Sequence, residues 1–385
     1  MKTALINAKI FDGHEFLVHH AVIIDDHKIE VILPENQVLD SIQKVDLQGN
    51  TLCAGFIDFQ MYGGDTSFFV KDLSFDSLQN LIDTHLQDGT TSIVPTLYST
   101  SLERILKAIE VVKSWIDSGR SGIAGIHIEG PYINIEKRGA HSENVVRVPT
   151  KTELEQIIEA SKGLKTVMTI APEIWPEDLL EILEESELII SLGHSNATYS
   201  QCQKYFKKIG LVTHLYNAMR PFESREVGVV GAVLDHQNVS ASIIVDGFHC
   251  DFAAVRIAKN IMQERLFLIS DASFAKPKFS RFEFGDFTAN FDGQRFLNDE
   301  GKLAGSAITL LDAVRNCVNK VGIPLEETLR MATLYPAKHL NLEHQIGKIS
   351  AGYQADMILL SPSLELLQVW KDSKTVVNDF CTKQI

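Results

Sequence analysis

The sequence predicts an α/β protein: a TIM (β/α)8 barrel with a small β-sandwich formed from both chain termini. Three observations carry the prediction. Eight apolar, β-branched runs recur at a spacing of roughly 30 residues, about the βα repeat of such a barrel. Amphipathic helical stretches lie between several of them, and the two ends of the chain carry short strand patterns broken by turns. A length of 385 residues accommodates one barrel plus a smaller unit.

At the N-terminus, "TALINAKIF", the Asp12-Gly13 turn and "AVIIDDHKIEVIL" read as short hairpin strands. The eight runs follow: "LCAGFIDF", "TTSIVPTLY", "GIAGIHIEG", "KTVMTIAPE", "LIISLGHS", "LVTHLYN", "VSASIIVDG" and "LFLISDA". After the second, "TSLERILKAIEVVKSWI" pairs Thr100 with Glu103 as a candidate capping box. Leu102, Ile105, Leu106, Ile109 and Val112 form its apolar stripe. "TKTELEQIIEASKG" repeats the design with Thr150 and Glu153, and Gly163 follows its end. Pro176 opens "PEDLLEILEE" as a first-turn proline. Residues 346–385 return to the terminal style in "IGKISAGYQADMILLSP" and "SKTVVNDF". The expected division is a sandwich of residues 1–52 plus 345–385 and a barrel of residues 53–344, the halves of the sandwich meeting because barrel termini lie close together.

Composition narrows the function. The chain is 45% hydrophobic and 22% charged, ordinary for a globular protein with a large core. A net charge of -14 excludes a nucleic-acid partner, whose phosphates need clustered Lys and Arg. One well-placed Arg still suffices for a small anionic substrate. The five cysteines (Cys53, Cys202, Cys250, Cys317 and Cys381) form no CxxC, which fits free thiols in a reducing compartment. No export-type apolar segment and no membrane-length run is found, so the expected location is cytoplasmic, with no membrane partner.

Nearly every barrel run ends in polar or ionisable residues: Asp58 and Gln60, Thr96, Glu129, Glu173, His194, His214, Asp246 and Asp271. Barrel active sites lie at the C-terminal strand ends, and unpaired charges are costly to bury, so this concentration points to catalysis. Glu129, His194 and His214 end the third, fifth and sixth strands and can converge on one mouth. A carboxylate and two imidazoles form a three-ligand zinc set with a position left for water. Asp271, ending the eighth strand, is the candidate general base and acid, and a bound metal would bring the pKa of water to about 7. His127, two residues before Glu129, reads as a core or supporting histidine. His19, His20, His27, His339 and His344 read as surface residues.

The motifs "GFIDFQMYGG", "HIEGPYIN", "GAHSEN", "LGHSNA", "THLYNAMRPF", "VDGFHCD", "LISDA" and "LAGSAITL", in this order, resemble the N-acetylglucosamine-6-phosphate deacetylase family of the amidohydrolase superfamily, over essentially the whole chain. The resemblance implies hydrolysis of the N-acetyl amide of a sugar phosphate to the amine and acetate. It implies one divalent metal ion per subunit, zinc first, with Fe, Co or Mn compatible, held by Glu129, His194 and His214, and Asp271 as acid/base. It implies substrate contacts from Ala140 and His141, phosphate contacts from Asn217, Ala218 and Arg225, and a substrate-binding turn at Asp246, Gly247, Phe248 and His249. Leu303, Ala304 and Gly305 match a loop over the acetyl and sugar. Family members with His-x-His on the first strand hold two metals; Gln60 places this chain with the single-metal members, and Tyr62 departs from the Asn of closer relatives. The family also implies a homodimer or homotetramer, with Arg225 or His249 reaching a neighbouring site.

Three alternatives stand beside this. An N-acetylgalactosamine-6-phosphate deacetylase differs by one hydroxyl inversion. Cyclic amidases need a bridging carbamylated Lys, and no Lys ends a strand here. A non-catalytic sugar-phosphate sensor would need the phosphate contacts without Asp271.

Overall fold

A computed structural model describes residues 2–275 and 277–372, with the backbone of 374–377. All eight runs form parallel strands of one sheet, paired in chain order. They are β1 (Phe56–Met61), β2 (Thr90–Leu97), β3 (Ile126–Glu129), β4 (Thr166–Ile170), β5 (Ile189–Leu192), β6 (Leu211–Val212), β7 (Ser240–Ile243) and β8 (Leu266–Leu268). The last strand returns to the first just beyond its end. Asp271 N–H donates to the Gln60 carbonyl at 2.9 Å, and Tyr62 N–H to the Ala272 carbonyl at 2.9 Å. The fully buried Asp58 carboxylate reinforces that seam by accepting from Ser270 N–H at 3.2 Å.

The run "LCAGFIDF" divides. Thr51–Ala54 pairs with Met357–Leu360 in a terminal sheet, and the barrel strand begins at Phe56. Gly55 makes the junction, where a Cβ would stand 2.2 Å from the Thr91 side chain.

Helices cover the barrel. Leu102–Asp117 buries Ile105, Ile109 and Val112, but its N-cap is Ser101 rather than Thr100, accepting from Arg104 N–H at 3.4 Å. The Thr150–Glu153 capping box forms at the head of Lys151–Ser161. Pro176 occupies the N-cap of Glu177–Glu184, one residue before the first turn.

The chain ends build two further sheets. One runs Lys28–Pro34, His20–Asp25, Thr3–Ile6, Gln43–Asp46; the other joins Lys374–Val377, Leu366–Lys371, Met357–Leu360, Thr51–Ala54, Lys9–Phe11 and Phe16–Leu17. Leu5, Val22 and Ile24 from one terminus share a core with Met357, Leu359 and Trp370 from the other, so neither half can bury its apolar face alone. The last part of "SKTVVNDF" and Cys381 lie outside the described residues. Cys53, Cys202, Cys250 and Cys317 are buried free thiols. No helix among the described residues is long and apolar enough to cross a membrane.

Candidate active site

The C-terminal strand ends converge. Glu129 closes β3, while His194 and His214 stand two residues past β5 and β6. Glu129 Oε1 lies 3.3 Å from His194 Nε2 and 3.0 Å from His214 Nε2, and the two nitrogens are 3.1 Å apart. All three side chains are buried. His194, His214 and Asp271 each adopt a left-handed backbone, with φ of 47°, 36° and 53°. Such conformations cost about 1–3 kcal/mol each and gather where function fixes side-chain direction.

The protons decide what this cluster can hold. A backbone carbonyl only accepts, so the 2.9 Å contact of His194 Nδ1 with Lys137 O places the proton on Nδ1. A neutral His194 therefore turns its Nε2 lone pair toward the Glu129 carboxylate and His214. Lone pairs and a carboxylate at this spacing repel unless a cation lies between them. Ligands bonded at about 2.0–2.1 Å in a tetrahedron stand roughly 3.3 Å apart, close to the spacing found. The donor set fits a divalent metal ion.

His141 also joins the cluster: its donor atom and those of Glu129 and His194 lie within 4.8 Å of one another. Its protonation is opposite. Ser99 N–H donates to His141 Nδ1 at 3.2 Å, so a neutral ring carries its proton on Nε2, 3.3 Å from Glu129 Oε2. That atom is a hydrogen-bond donor rather than a free lone pair. His141 thus suits a carbonyl oxygen better than a cation.

Gln60 and Tyr62 occupy the position where a His-x-His pair would ligate. The Gln60 amide donates to Glu129 Oε1 at 2.8 Å and to Asp271 Oδ1 at 2.7 Å. The Tyr62 hydroxyl donates to Glu129 Oε2 and lies 3.3 Å from Asp271 Oδ1. Two neutral donor groups thus tie the two carboxylates together without a second cation.

The carboxylates are driven apart electrostatically. Burial raises Glu129, but the hydrogen bond from His141 and the interactions with the His194 and His214 imidazoles outweigh it and hold the group well below its ordinary range. Burial pushes Asp271 well above the carboxylate range, with the Glu129 charge adding to it and His214 and Tyr62 opposing. One carboxylate stays ionised beside imidazoles, while its neighbour can hold a proton. This is the division expected of a ligand and an acid/base pair.

A cavity of about 220 Å³ opens over these groups. Ala140, Asn217, Ala218, His249, Leu303 and Gly305, all named from the sequence as candidate substrate contacts, line it. Asp246, Gly247 and Phe248 do not. Asp246 instead organises the turn, accepting from Phe248 N–H and His249 N–H at 2.8 Å each and from His249 Nδ1 at 2.6 Å. Burial raises the Asp246 carboxyl, but these bonds prevail and lower it. Phe248 is exposed beneath the Arg295 guanidinium. Ala304 lines a smaller adjacent cavity. Arg225 stands apart: it is exposed and lines no part of its own chain's cavity.

The remaining polar strand ends are structural. Glu173 accepts from Asn134 Nδ2, Ser195 Oγ and Asn196 N–H, fixing the loop after β5. His127 Nε2 meets Thr169 Oγ1 at 2.7 Å inside the barrel, and burial pushes its pKa down to about 4. His339 packs its ring 5.0 Å from Phe267 instead of standing at the surface. Sequence reasoning missed Lys302, Phe68, Tyr98 and Phe287 around the site. Only Phe287 had a visible signal, the phenylalanine-rich stretch "RFEFGDFTANF".

Comparison with known proteins places these observations in a lineage. The amidohydrolase family profile matches residues 51–381, and the NagA composite domain profile matches residues 3–52. An N-acetylglucosamine-6-phosphate deacetylase of Haemophilus influenzae is 36% identical over 383 residues, covering 97% of this chain and 100% of its own. An N-acetylgalactosamine-6-phosphate deacetylase of a Shewanella species is 34% identical over 327 residues, covering 84% of this chain and 82% of its own. The crystal structure of the Pasteurella multocida N-acetylglucosamine-6-phosphate deacetylase superposes with a TM-score of 0.93 at 35% identity, covering 98% of this chain and 100% of that one.

Proposed function

The chain belongs to the amidohydrolase family, and from that membership and the site's geometry we propose that it hydrolyses the N-acetyl group of N-acetylglucosamine-6-phosphate to glucosamine-6-phosphate and acetate. The observation that carries the reading is the meeting of Glu129 Oε1 with the Nε2 atoms of His194 and His214, 3.0–3.3 Å apart, beside the Asp271 carboxyl that the Gln60 amide ties to Glu129. Similarity to deacetylases over nearly the full chain supplies the substrate.

Glu129, His194 and His214 would hold the metal, for which zinc is the proposed ion on the N,N,O donor set. When bound, it supplies Lewis-acid activation of water and of the amide carbonyl. His141 Nε2–H donates to the carbonyl oxygen as negative charge develops there. Asp271 takes a proton from the attacking water and returns it to the amine nitrogen as the C–N bond breaks. Gln60 and Tyr62 hold Asp271 and Glu129 in register throughout. Asn217, Ala218 and His249 receive the sugar phosphate in the cavity.

The proposal includes the chain division into residues 1–52 plus 345–385 and 53–344, a cytoplasmic location, and a homodimer or homotetramer. Arg225, exposed and away from its own cavity, suits a residue that serves a neighbouring subunit's phosphate site. The galactosamine-6-phosphate epimer is the second reading, favoured by the Shewanella relative. Acetate release measured on the two sugar phosphates under identical conditions decides between them. Higher kcat/KM on the gluco substrate is expected; preference for the galacto form replaces this reading with the second. No acetate from either, even with zinc added, brings the sensor reading forward.

A further inference from the structure

A second cavity, of about 40 Å³, adjoins the first. Tyr62, Ala140, His141 and Gly305 wall both spaces, and beyond them the smaller one is enclosed by the rings of Phe68, Tyr98 and Phe287. Phe287 comes from the hairpin Arg281–Phe284 and Phe287–Phe291, which folds over the barrel mouth. It stacks on Phe68 at 5.2 Å and lies 5.0 Å from Tyr98. Polar groups in the wall are already engaged: the Tyr62 hydroxyl by Glu129 and Ser273 Oγ by the Ala304 carbonyl. Most of what remains facing the space is carbon, with the Tyr98 hydroxyl 3.5 Å from the Phe284 carbonyl.

Its position relative to the chemistry assigns an occupant. His141 sits at the boundary, with Nε2 3.3 Å from Glu129 and its ring 5.8 Å from Tyr98. A substrate carbonyl held at this boundary has two substituents. The amine side carries the sugar phosphate and takes the larger cavity, where Asn217, His249 and Lys302 offer polar contacts. The acyl side is left for the aromatic space. A water-sized group needs about 10–15 Å³ by the same measure of volume, so 40 Å³ exceeds the needs of one methyl group.

We propose that this annex is an acyl pocket, and that the enzyme accepts apolar N-acyl groups longer than acetyl on the same sugar phosphate. The proposal rests on the deacetylase reading and extends its substrate class. The bond chemistry is unchanged: water oxygen joins the acyl carbon, the C–N bond breaks, and a carboxylate and an amine leave.

The test is a kcat/KM series on N-acetyl-, N-propanoyl- and N-butanoyl-glucosamine-6-phosphate with the zinc-loaded wild type, Phe287→Leu and Phe287→Trp. Ratios between substrates are taken within one preparation, so any unfolded fraction cancels. A tight apolar site discriminates one methylene by about 10–200-fold. We expect propanoyl within about tenfold of acetyl in the wild type, a butanoyl-to-acetyl ratio raised by Phe287→Leu, and a lowered one in Phe287→Trp. Acetyl turnover with propanoyl more than about tenfold weaker, or ratios unmoved by both substitutions, overturns the pocket and leaves the deacetylase reading intact. If neither variant folds, the wild-type series decides alone. No turnover of any of the three overturns both.

Discussion

Asp271 and Tyr62 differ in how far the sequence revealed them. Asp271 was legible because it ends an apolar strand of a barrel, where an ionisable group has little structural purpose. Tyr62 was visible only as a departure, since its partners Glu129 and Asp271 lie 67 and 209 residues away and only tertiary closure joins them. The same distance in sequence hid the aromatic annex. Asp271→Asn keeps the shape and the hydrogen bond from Gln60 but cannot take a proton. Turnover is expected to fall by at least about a hundredfold with metal content nearly unchanged, read by acetate release beside metal analysis. A near-normal rate removes Asp271 from the acid/base role. Tyr62→Phe keeps the ring and deletes the donor to Glu129. Loss of a hydrogen bond that orients a metal ligand typically costs 10–100-fold in affinity or activity, so a drop of about that size is expected in metal retention or kcat. Unchanged values for both would make the hydroxyl a bystander.

Secondary elements followed their local signals where those signals were local. The Thr150–Glu153 box forms because its hydrogen bonds close within one turn. Ser101 displaced Thr100 as a cap because two hydroxyls stand side by side and pattern alone does not choose between them. Periodicity likewise gave no sign that "LCAGFIDF" divides, because both halves are apolar and only pairing partners distinguish them. Gly55 is the division point, and its reason is steric. Gly55→Ala puts a Cβ 2.2 Å from Thr91, so strand or side chain must shift. Overpacking of this kind costs about 1–3 kcal/mol. A lower denaturation midpoint with metal content retained is the expected result; an unchanged midpoint shows that Thr91 yields without cost.

At the scale of the whole molecule, the barrel and the terminal sheets divide the work. The two chain ends share a core in which Leu5 and Val22 pack with Met357 and Trp370, while the barrel brings residues from β3, β5, β6 and β8 to one mouth. The eightfold alternation made the barrel legible, and the turn-rich ends made the sandwich so. The family resemblance offered Arg225 or His249 to a neighbouring site without choosing between them; of the two, His249 lines its own chain's cavity and Arg225 does not. The account's central claim is that one divalent metal ion, held by Glu129, His194 and His214, is needed for hydrolysis. The most direct test is metal content measured alongside acetate release from N-acetylglucosamine-6-phosphate, before chelation, after it and after zinc is restored. About one ion per chain is predicted for the single three-ligand site, with activity lost on stripping and recovered on reloading. Full activity in protein stripped of metal would contradict the claim.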